Sequence, residues 1–314
     1  MLELGFDFHA MATPCSVRLQ GGDEPLLRRA AQAAIEEVQR IEARFSRYRG
    51  DGIVMRITAA AGGAAVTIDA ETEHLLDFAD SLHRISGGRF DITSGVLRQA
   101  WDLRRGTVPD AAQVSALLAR MGASRIQRTP GQVTLAAGME IDLGGIGKEY
   151  ACDRAAQILL HHGVAHGFVE LGGDIRVLGP RADGTPWVFG IRHPRQEQAL
   201  LASVALAGGA LATSGDGERF ILHEGRRYGH LLDARSGWPV TGWASISVVA
   251  PTCSAAGAAC TLACLMEAEA PAFLHAQRVA WLALDHHGVV HRSVVGADPF
   301  GAEALSSATS GARS

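Results

Sequence analysis

The chain has 314 residues, 47% hydrophobic and 20% charged, with a formal net charge of −4. That is ordinary globular composition, long enough for a large core or two lobes. Lys and Arg are scattered, which argues against a nucleic-acid surface, and no apolar run approaches the roughly 20 residues of a membrane span.

Residues 1–12 carry Glu3 and Asp7 and lack both a basic start and a long apolar stretch, so they do not read as a signal peptide. As it stands the chain reads as cytoplasmic; it would be periplasmic if an export signal had been removed. A strand is predicted over 15–19. Asp23 then caps a helix with Pro25 in its first turn, and Leu26, Leu27, Ala30, Ala31, Ala34, Ile35, Val38 and Ile41 form one apolar face. A second helix spans 71–85 and stops at Gly87-Gly88. A third follows Asp110, with Val114, Leu117, Leu118 and Met121 inward.

A strand over 133–143 leads into Gly144-Gly145 and a helix over 148–161. Short strands follow at 167–171, 175–178, 187–191, 202–206 and 245–249. A helix over 254–266 carries Cys260 and Cys264 one turn apart as small core residues. The five cysteines form no C-x-x-C and their number is odd, so neither a disulfide framework nor a zinc knuckle is indicated. Strands over 279–284 and 289–294 close the fold, and the small polar residues 306–314 read as disordered. Helices and strands are interspersed without strict alternation. That argues for an α+β or mixed α/β class with largely antiparallel sheets, in one unit over 1–300 with a tail at 301–314.

The chemistry concentrates where apolar runs meet glycines. Asp142-Leu143-Gly144-Gly145-Ile146-Gly147-Lys148 joins an acid, a glycine turn, a cation and a helix start. Backbone N–H groups in such a turn, together with a helix N-terminus, suit a phosphate-bearing ligand. A dinucleotide fingerprint is excluded, because Tyr150 stands where the third glycine of G-x-G-x-x-G belongs. Glu170-Leu171-Gly172-Gly173-Asp174 echoes the arrangement. Four more segments stand out: 86–93, the polar turn 212–216, 230–239 with His230 and Asp233, and 254–261 at a helix start. Singly, each has a plainer reading: Asp91 and Thr93 as caps, His230 as a buried histidine, Thr261 bonded to its own helix turn, 233–237 as a turn.

In order, these segments resemble the ApbE-type flavin transferases (FAD:protein FMN transferases). The family pattern D-L-G-G-I-A-K-G-Y-A-x-D is similar to 142–153, F-D-x-T to 90–93, G-G-[DE]-[IL] to 172–175, A-T-S-G to 212–215, and H-x-x-D-P-x-T-G-x-P to 230–239. Met11-Ala12-Thr13 resembles an early M-G-T, and Ser46-Arg47-Tyr48 an S-x-Y. The resemblance implies a mixed α/β, T-fold-like flavin transferase fold. It implies a reaction that takes FAD and Mg²⁺, moves FMN onto a Thr or Ser hydroxyl of an acceptor protein, and releases AMP. It implies FAD contacts from Met11, Tyr48, Arg89, Phe90, Asp91, Asp142, Lys148, Gly172, Gly173, Thr213, Ser214, Leu231 and Leu232. A backbone carbonyl near Gly145 and the Thr261 hydroxyl would hold the metal, and His230, Asp174 and Asp233 would serve the chemistry. The partner would be an acceptor with an S-G-A-T-like flavinylation motif.

The chain departs from the family pattern at several places. The family's last motif, A-D-A-x-A-T, has a metal-binding Asp where this chain has Gly257, and Glu149 replaces the glycine after the Lys. Gly217 replaces a Tyr, Gly52 a Ser and Thr58 an Asn. A hard dication prefers anionic oxygen, so weak Mg²⁺ binding is expected, with Gly257→Asp strengthening it. Four readings stay open: a transferase whose metal uses another acid, water and the FAD phosphates, an FAD-binding protein with weak or lost transfer, an FAD hydrolase giving FMN and AMP, and a non-flavin phosphate-binding protein. In the tail, Arg313 stands where an S-G-A-T motif has its Thr, so self-flavinylation is not expected.

Overall fold

The computed structural model describes residues 1–102, 105–293, 295 and 298–301. The chain opens with β1 (Leu2–Ala10), β2 (Thr13–Gly21), α1 (Glu24–Phe45), α2 (Ile53–Ala59), β3 (Val66–Thr67) and α3 (Ala70–Ile85). A 3-10 segment (Ile92–Gln99) leads to α4 (Ala111–Leu118), β4 (Gln127–Thr129), β5 (Gln132–Thr134) and α5 (Gly147–His161). Ten strands follow: β6 (His166–Leu171), β7 (Asp174–Gly179), β8 (Trp187–Arg192), β9 (Leu200–Leu206), β10 (Gly209–Gly215), β11 (Phe220–His223), β12 (Arg226–Gly229), β13 (Leu232–Asp233), β14 (Trp238–Pro239) and β15 (Trp243–Ala250). Then come α6 (Cys253–Met266), α7 (Ala270–Ala276), β16 (Ala280–Asp285) and β17 (Val290–Ser293).

Eight strands pair antiparallel in the order β1-β2-β6-β7-β10-β15-β16-β17. One face carries α1, α5 and α6, whose Ala34, Val38, Ile41, Ala155, Leu159 and Cys260 bury against Val17, Val169, Leu171 and Ile246 of the sheet. Small residues along α1 and α5 let the helices approach closely. The other face is covered by the β8–β9 hairpin, with Trp187, Ile191 and Val204 against Val177, Leu211 and Leu282. Aspartates start the helices as expected: Asp23 accepts from Leu26 N at 3.0 Å, and Asp110 forms a capping box with Gln113. The fold is therefore mixed α/β, built on a large antiparallel sheet.

The continuous helical run Cys253–Ala276 is long and apolar enough by composition to cross a membrane, with a mean hydropathy of 1.2, but 67% of that window is buried inside the protein. A helix apolar on all sides is what a fully enclosed position requires.

The structure corrects several expectations. β1 was not foreseen; Leu2, Leu4, Phe6 and Phe8 alternate in an edge strand on β2. α2 was also missed. The strand expected over 133–143 shrinks to β5. Leu135, Met139, Ile141 and Leu143 are buried and mimic strand periodicity, but Gly138 turns the chain at φ 78°. Their backbone bonds leave the ladder, Gly62 N donating to Leu135 O and Asp142 N to Ile92 O. The expected turn at 212–216 is mostly strand, since Thr213 and Ser214 lie in β10 opposite Ser247 and Ile246. The closing strand is Val290–Ser293. Residue 294, 302–314 and the disorder expected of the tail lie outside the described residues.

Candidate active site

Two tight turns meet at one end of the central sheet. The β1–β2 turn places Met11 and Ala12 at φ 53° and 59°, and the β6–β7 turn places Gly172 and Gly173 at φ 58° and 89°. Two-residue hairpins favour this left-handed pair because it matches strand twist. For Met11 the conformation is uncommon, and its N–H is held by Glu42 Oε1 at 2.7 Å. Gly172 N donates to Pro14 O at 3.0 Å, and a Cβ on Gly172 would lie 2.5 Å from Thr13 Oγ1. Only glycine lets the two turns touch, at Thr13 and Pro14 against Gly172.

Asp174, at the start of β7, is 3% exposed. Its Oδ2 takes the Lys148 ammonium from the first turn of α5, and its Oδ1 accepts Thr213 N at 3.2 Å. Beyond Thr213, Ser214 Oγ lies 3.4 Å from Thr261 Oγ1 on α6. Helix α5 begins at Gly147 with no side-chain cap, and Gly147 N donates to Leu143 O at 2.8 Å, so the helix-start N–H groups that an anion beside the lysine could meet are those of Lys148 and Glu149. Lys148, Asp174, Thr213, Ser214 and Thr261 are thus linked across α5, β7, β10 and α6.

A second group adjoins through the loop before α5. Asp142 Oδ1 accepts Gly144 N at 2.8 Å, and its Oδ2 accepts Arg47 Nη1 at 2.5 Å. Arg47 also donates to Tyr48 OH at 2.7 Å and stacks on that ring at 4.9 Å. Tyr48 is 77% exposed, an aromatic face held out by a cation. Phe90 packs on Gly145, where a Cβ would lie 3.1 Å from the ring.

Asp91 and Asp233 have carboxylates occupied by their own chain. Asp91 accepts from Thr93 N, Thr93 Oγ1 and Ala123 N at 2.7, 2.6 and 2.9 Å, pinning 90–93 to the turn after α4. Asp233 accepts from Arg235 N and pairs with the Arg235 guanidinium at 2.8 Å. These are supporting places. Arg89 extends to Glu269 at 3.0 Å, and its carbonyl accepts Ala234 N at 2.9 Å, joining the 86–93 and 230–239 segments. Trp101 reinforces the junction by donating to Gly237 O at 2.8 Å.

His230 follows Gly229, which packs on Asp216 two residues past Ser214. The residue is open to solvent, yet the protein gathered around the ring, and then the Arg219 charge, lower its pKa below the ordinary histidine value. Leu232 pairs with Pro239 in the β13–β14 ribbon, and Leu231 leans on the main core.

Among the described residues, no three His, Cys, Asp or Glu side chains gather as a metal cluster. One carboxylate nevertheless stands out. Glu149 is 9% exposed, and its Oε2 is buried without a hydrogen-bond partner. Its side chain lies against Gly257, where a Cβ would be 2.4 Å from Glu149 Cγ and 3.0 Å from Oε1. The departures at 149 and 257, far apart in sequence and with no local signal linking them, touch in the structure. No role is expected of Asp153 from sequence. Asp153 accepts Cys253 N and Ser254 N, both at 2.8 Å, and so fixes the start of α6. An open groove of about 570 Å³ beside α1, lined by Arg40, Arg44, Asp51 and Asp69, shares none of these residues.

A large antiparallel sheet carrying helices on one face is the architecture of the flavin transferases. The ApbE protein of Thermotoga maritima superposes with a TM-score of 0.87 at 30% identity, covering 93% of this chain and 97% of that one. The apo flavinyl transferase ApbE of Pseudomonas stutzeri gives 0.82 at 25% identity, covering 93% and 95%. The ApbE family model matches residues 11–283, and the chain belongs to the ApbE family. Relatives named FAD:protein FMN transferase include one from Treponema pallidum, 34% identical over 255 residues (73% of this chain, 70% of that one). Another, from Klebsiella pneumoniae, is 31% identical over 236 residues (73% and 72%).

Proposed function

We propose that this protein is an FAD:protein FMN transferase. The acceptor hydroxyl oxygen bonds to the FMN phosphorus of FAD, the bond from that phosphorus to the bridging oxygen breaks, AMP leaves with that oxygen, and the hydroxyl proton passes to a base. The observation that carries the reading is the linked set Lys148–Asp174–Thr213 and Ser214–Thr261 beside two glycine-bearing turns, in a chain of the ApbE family.

Each residue has a physical task in this reading. Lys148 and the uncapped N–H groups of α5 hold the pyrophosphate of FAD. Tyr48 offers its exposed ring to a flat ring system, and Met11 and Gly172-Gly173 let backbone approach the ligand. His230, with its pKa lowered, is neutral near pH 7 and able to accept the hydroxyl proton. Oxygen donors near α6 suit a hard dication: the buried Thr261 hydroxyl and the unpartnered Glu149 carboxylate oxygen. Mg²⁺ there would offset negative charge growing on the leaving phosphate.

The acceptor is a protein presenting a Thr or Ser in an S-G-A-T-like segment. Incubation with FAD, Mg²⁺ and a domain bearing that motif should add the mass of FMN to the acceptor and release AMP. FMN and AMP in solution with an unmodified acceptor would identify a hydrolase instead.

A further inference from the structure

The two departures at 149 and 257 are spatially one. Family pattern and chain differ by a reciprocal exchange: glycine and aspartate there, Glu149 and Gly257 here. The structure brings these positions into contact between α5 and α6. The volume a side chain at 257 would enter is already held by Glu149, whose Cγ lies 2.4 Å from the place of the missing Cβ, with Cδ and Oε1 at 3.0 Å. The carboxylate therefore arrives from the neighbouring helix. On α6, Gly257 and Thr261 stand one turn apart on the same face, so the Glu149 carboxylate lies next to the turn bearing Thr261.

The state of this carboxylate calls for a cation. Oε2 is buried with no hydrogen-bond partner, and Oε1 has the Lys148 ammonium only at 3.7 Å. That ammonium is already engaged by Asp174. Burying carboxylate oxygen without a partner is costly, and native structures avoid it or place an ion there. We infer that Glu149 supplies, from α5, the anionic oxygen for a divalent cation that Thr261 also ligates, replacing the carboxylate absent at 257. The exchange preserves one carboxylate and one glycine at the α5–α6 contact while reversing which helix carries each. The inference rests on the transferase reading for the identity of the cation as Mg²⁺.

The test is Mn²⁺ binding to purified protein by paramagnetic titration, with Mg²⁺ competition, in the presence and absence of FAD. Glu149→Gln, which keeps shape and removes charge, should weaken Mn²⁺ by on the order of tenfold or more, at least what loss of an outer partner already costs. The double exchange Glu149→Gly with Gly257→Asp should return affinity to within about threefold of the parent, since one carboxylate again faces Thr261. Retention of affinity in Glu149→Gln, or no recovery in the double exchange, overturns the inference. If Glu149→Gln does not fold, the double exchange alone decides on the same criterion. FAD binding is followed separately by flavin fluorescence. Failure of the parent to bind FAD would count against the transferase reading and leave the metal result to be judged by itself.

Discussion

The Asp153 carboxylate on α5 grips the first turn of α6 through Ser254, accepting its N–H at 2.8 Å and its Oγ–H at 2.7 Å, while its other oxygen takes Cys253 N at 2.8 Å. Three donors on one carboxylate fix both the axial position and the rotation of α6 against α5. That rotation turns Gly257 toward Glu149 and Thr261 toward Ser214. Asp153→Ala strands the Cys253 and Ser254 N–H groups, leaving only the Thr252 cap on Ala255 N at 3.2 Å. A loss of about 1–3 kcal/mol of stability is expected by urea denaturation, because cap removal and unmet buried donors each cost that order. An unchanged midpoint would show that α6 is held by packing alone.

Gly257→Asp, expected from sequence to rescue a weak metal site, should do the reverse in the single variant. The new Cβ would overlap Glu149 Cγ at 2.4 Å. A second carboxylate would also enter a contact that already buries one. Overpacking of a closed contact costs about 1–3 kcal/mol, and like charges add to it. The thermal midpoint should fall, and Mn²⁺ affinity should not rise. Tighter Mn²⁺ binding with an unchanged midpoint would restore the simpler view that a carboxylate is missing at this position.

Much of the scaffold could be read from residue order, because local rules and burial agree there. Asp23 and Asp110 cap where the helix-start pattern places them, and the apolar stripe from Leu27 to Ile41 faces the sheet. The reading failed where burial imitates periodicity. Leu135, Met139, Ile141 and Leu143 fill the core from an irregular segment, so their spacing suggests a strand that the backbone does not form. Residues 1–12 lack the basic start and long apolar stretch of a targeting segment, and the alternation of Leu2, Leu4, Phe6 and Phe8 is the signature of β1. At the site, the glycine turns and Lys148 carry local signatures. The Glu149–Gly257 contact has none, since it exists only once α5 and α6 pack.

Lys148 and Asp174 form a pair whose disruption should be felt by the whole fold. Lys148→Met leaves a carboxylate that is 3% exposed without its cation, and removing one partner of a buried pair costs about 3–5 kcal/mol. Adding Asp174→Leu should recover more than half of that loss, because no charge then remains buried. FAD affinity should stay low in both variants, since the ammonium is gone from each. Equal stability of Lys148→Met and parent would show that the Asp174 carboxylate is satisfied without Lys148, with Thr213 N still donating to it.

Tyr48 should matter to ligand and hardly to stability. The ring is 77% exposed, so Tyr48→Ala removes little packing. Stacking of a flat ring on an aromatic side chain is worth about 1–3 kcal/mol, which predicts a fall in FAD affinity of about 5- to 150-fold with an unchanged thermal midpoint. Tyr48→Phe keeps the face and loses only the bond from Arg47 Nη2 at 2.7 Å, so it should bind nearly as well as the parent. Equal affinity in Tyr48→Ala would remove Tyr48 from the flavin site.

The proposed role of His230 as proton acceptor predicts the acid limb of the rate profile. Its pKa is lowered first by the surrounding protein and then by Arg219, and His193 and His286 are lowered too, chiefly by burial. Above the ordinary value of about 6.5, folded and unfolded chains both hold these rings neutral. As pH falls through that value, the unfolded chain takes up protons that the folded chain resists, so stability declines toward acid and levels off below the lowered folded values. Activity, if His230 accepts the hydroxyl proton, survives to lower pH than an ordinary histidine would allow, giving an acid-limb midpoint below about 6.5 in kcat/KM. His230→Gln should reduce kcat by on the order of 10²–10⁴ and flatten that limb, with FAD affinity retained. A full acid limb persisting in His230→Gln would assign the proton transfer to another group.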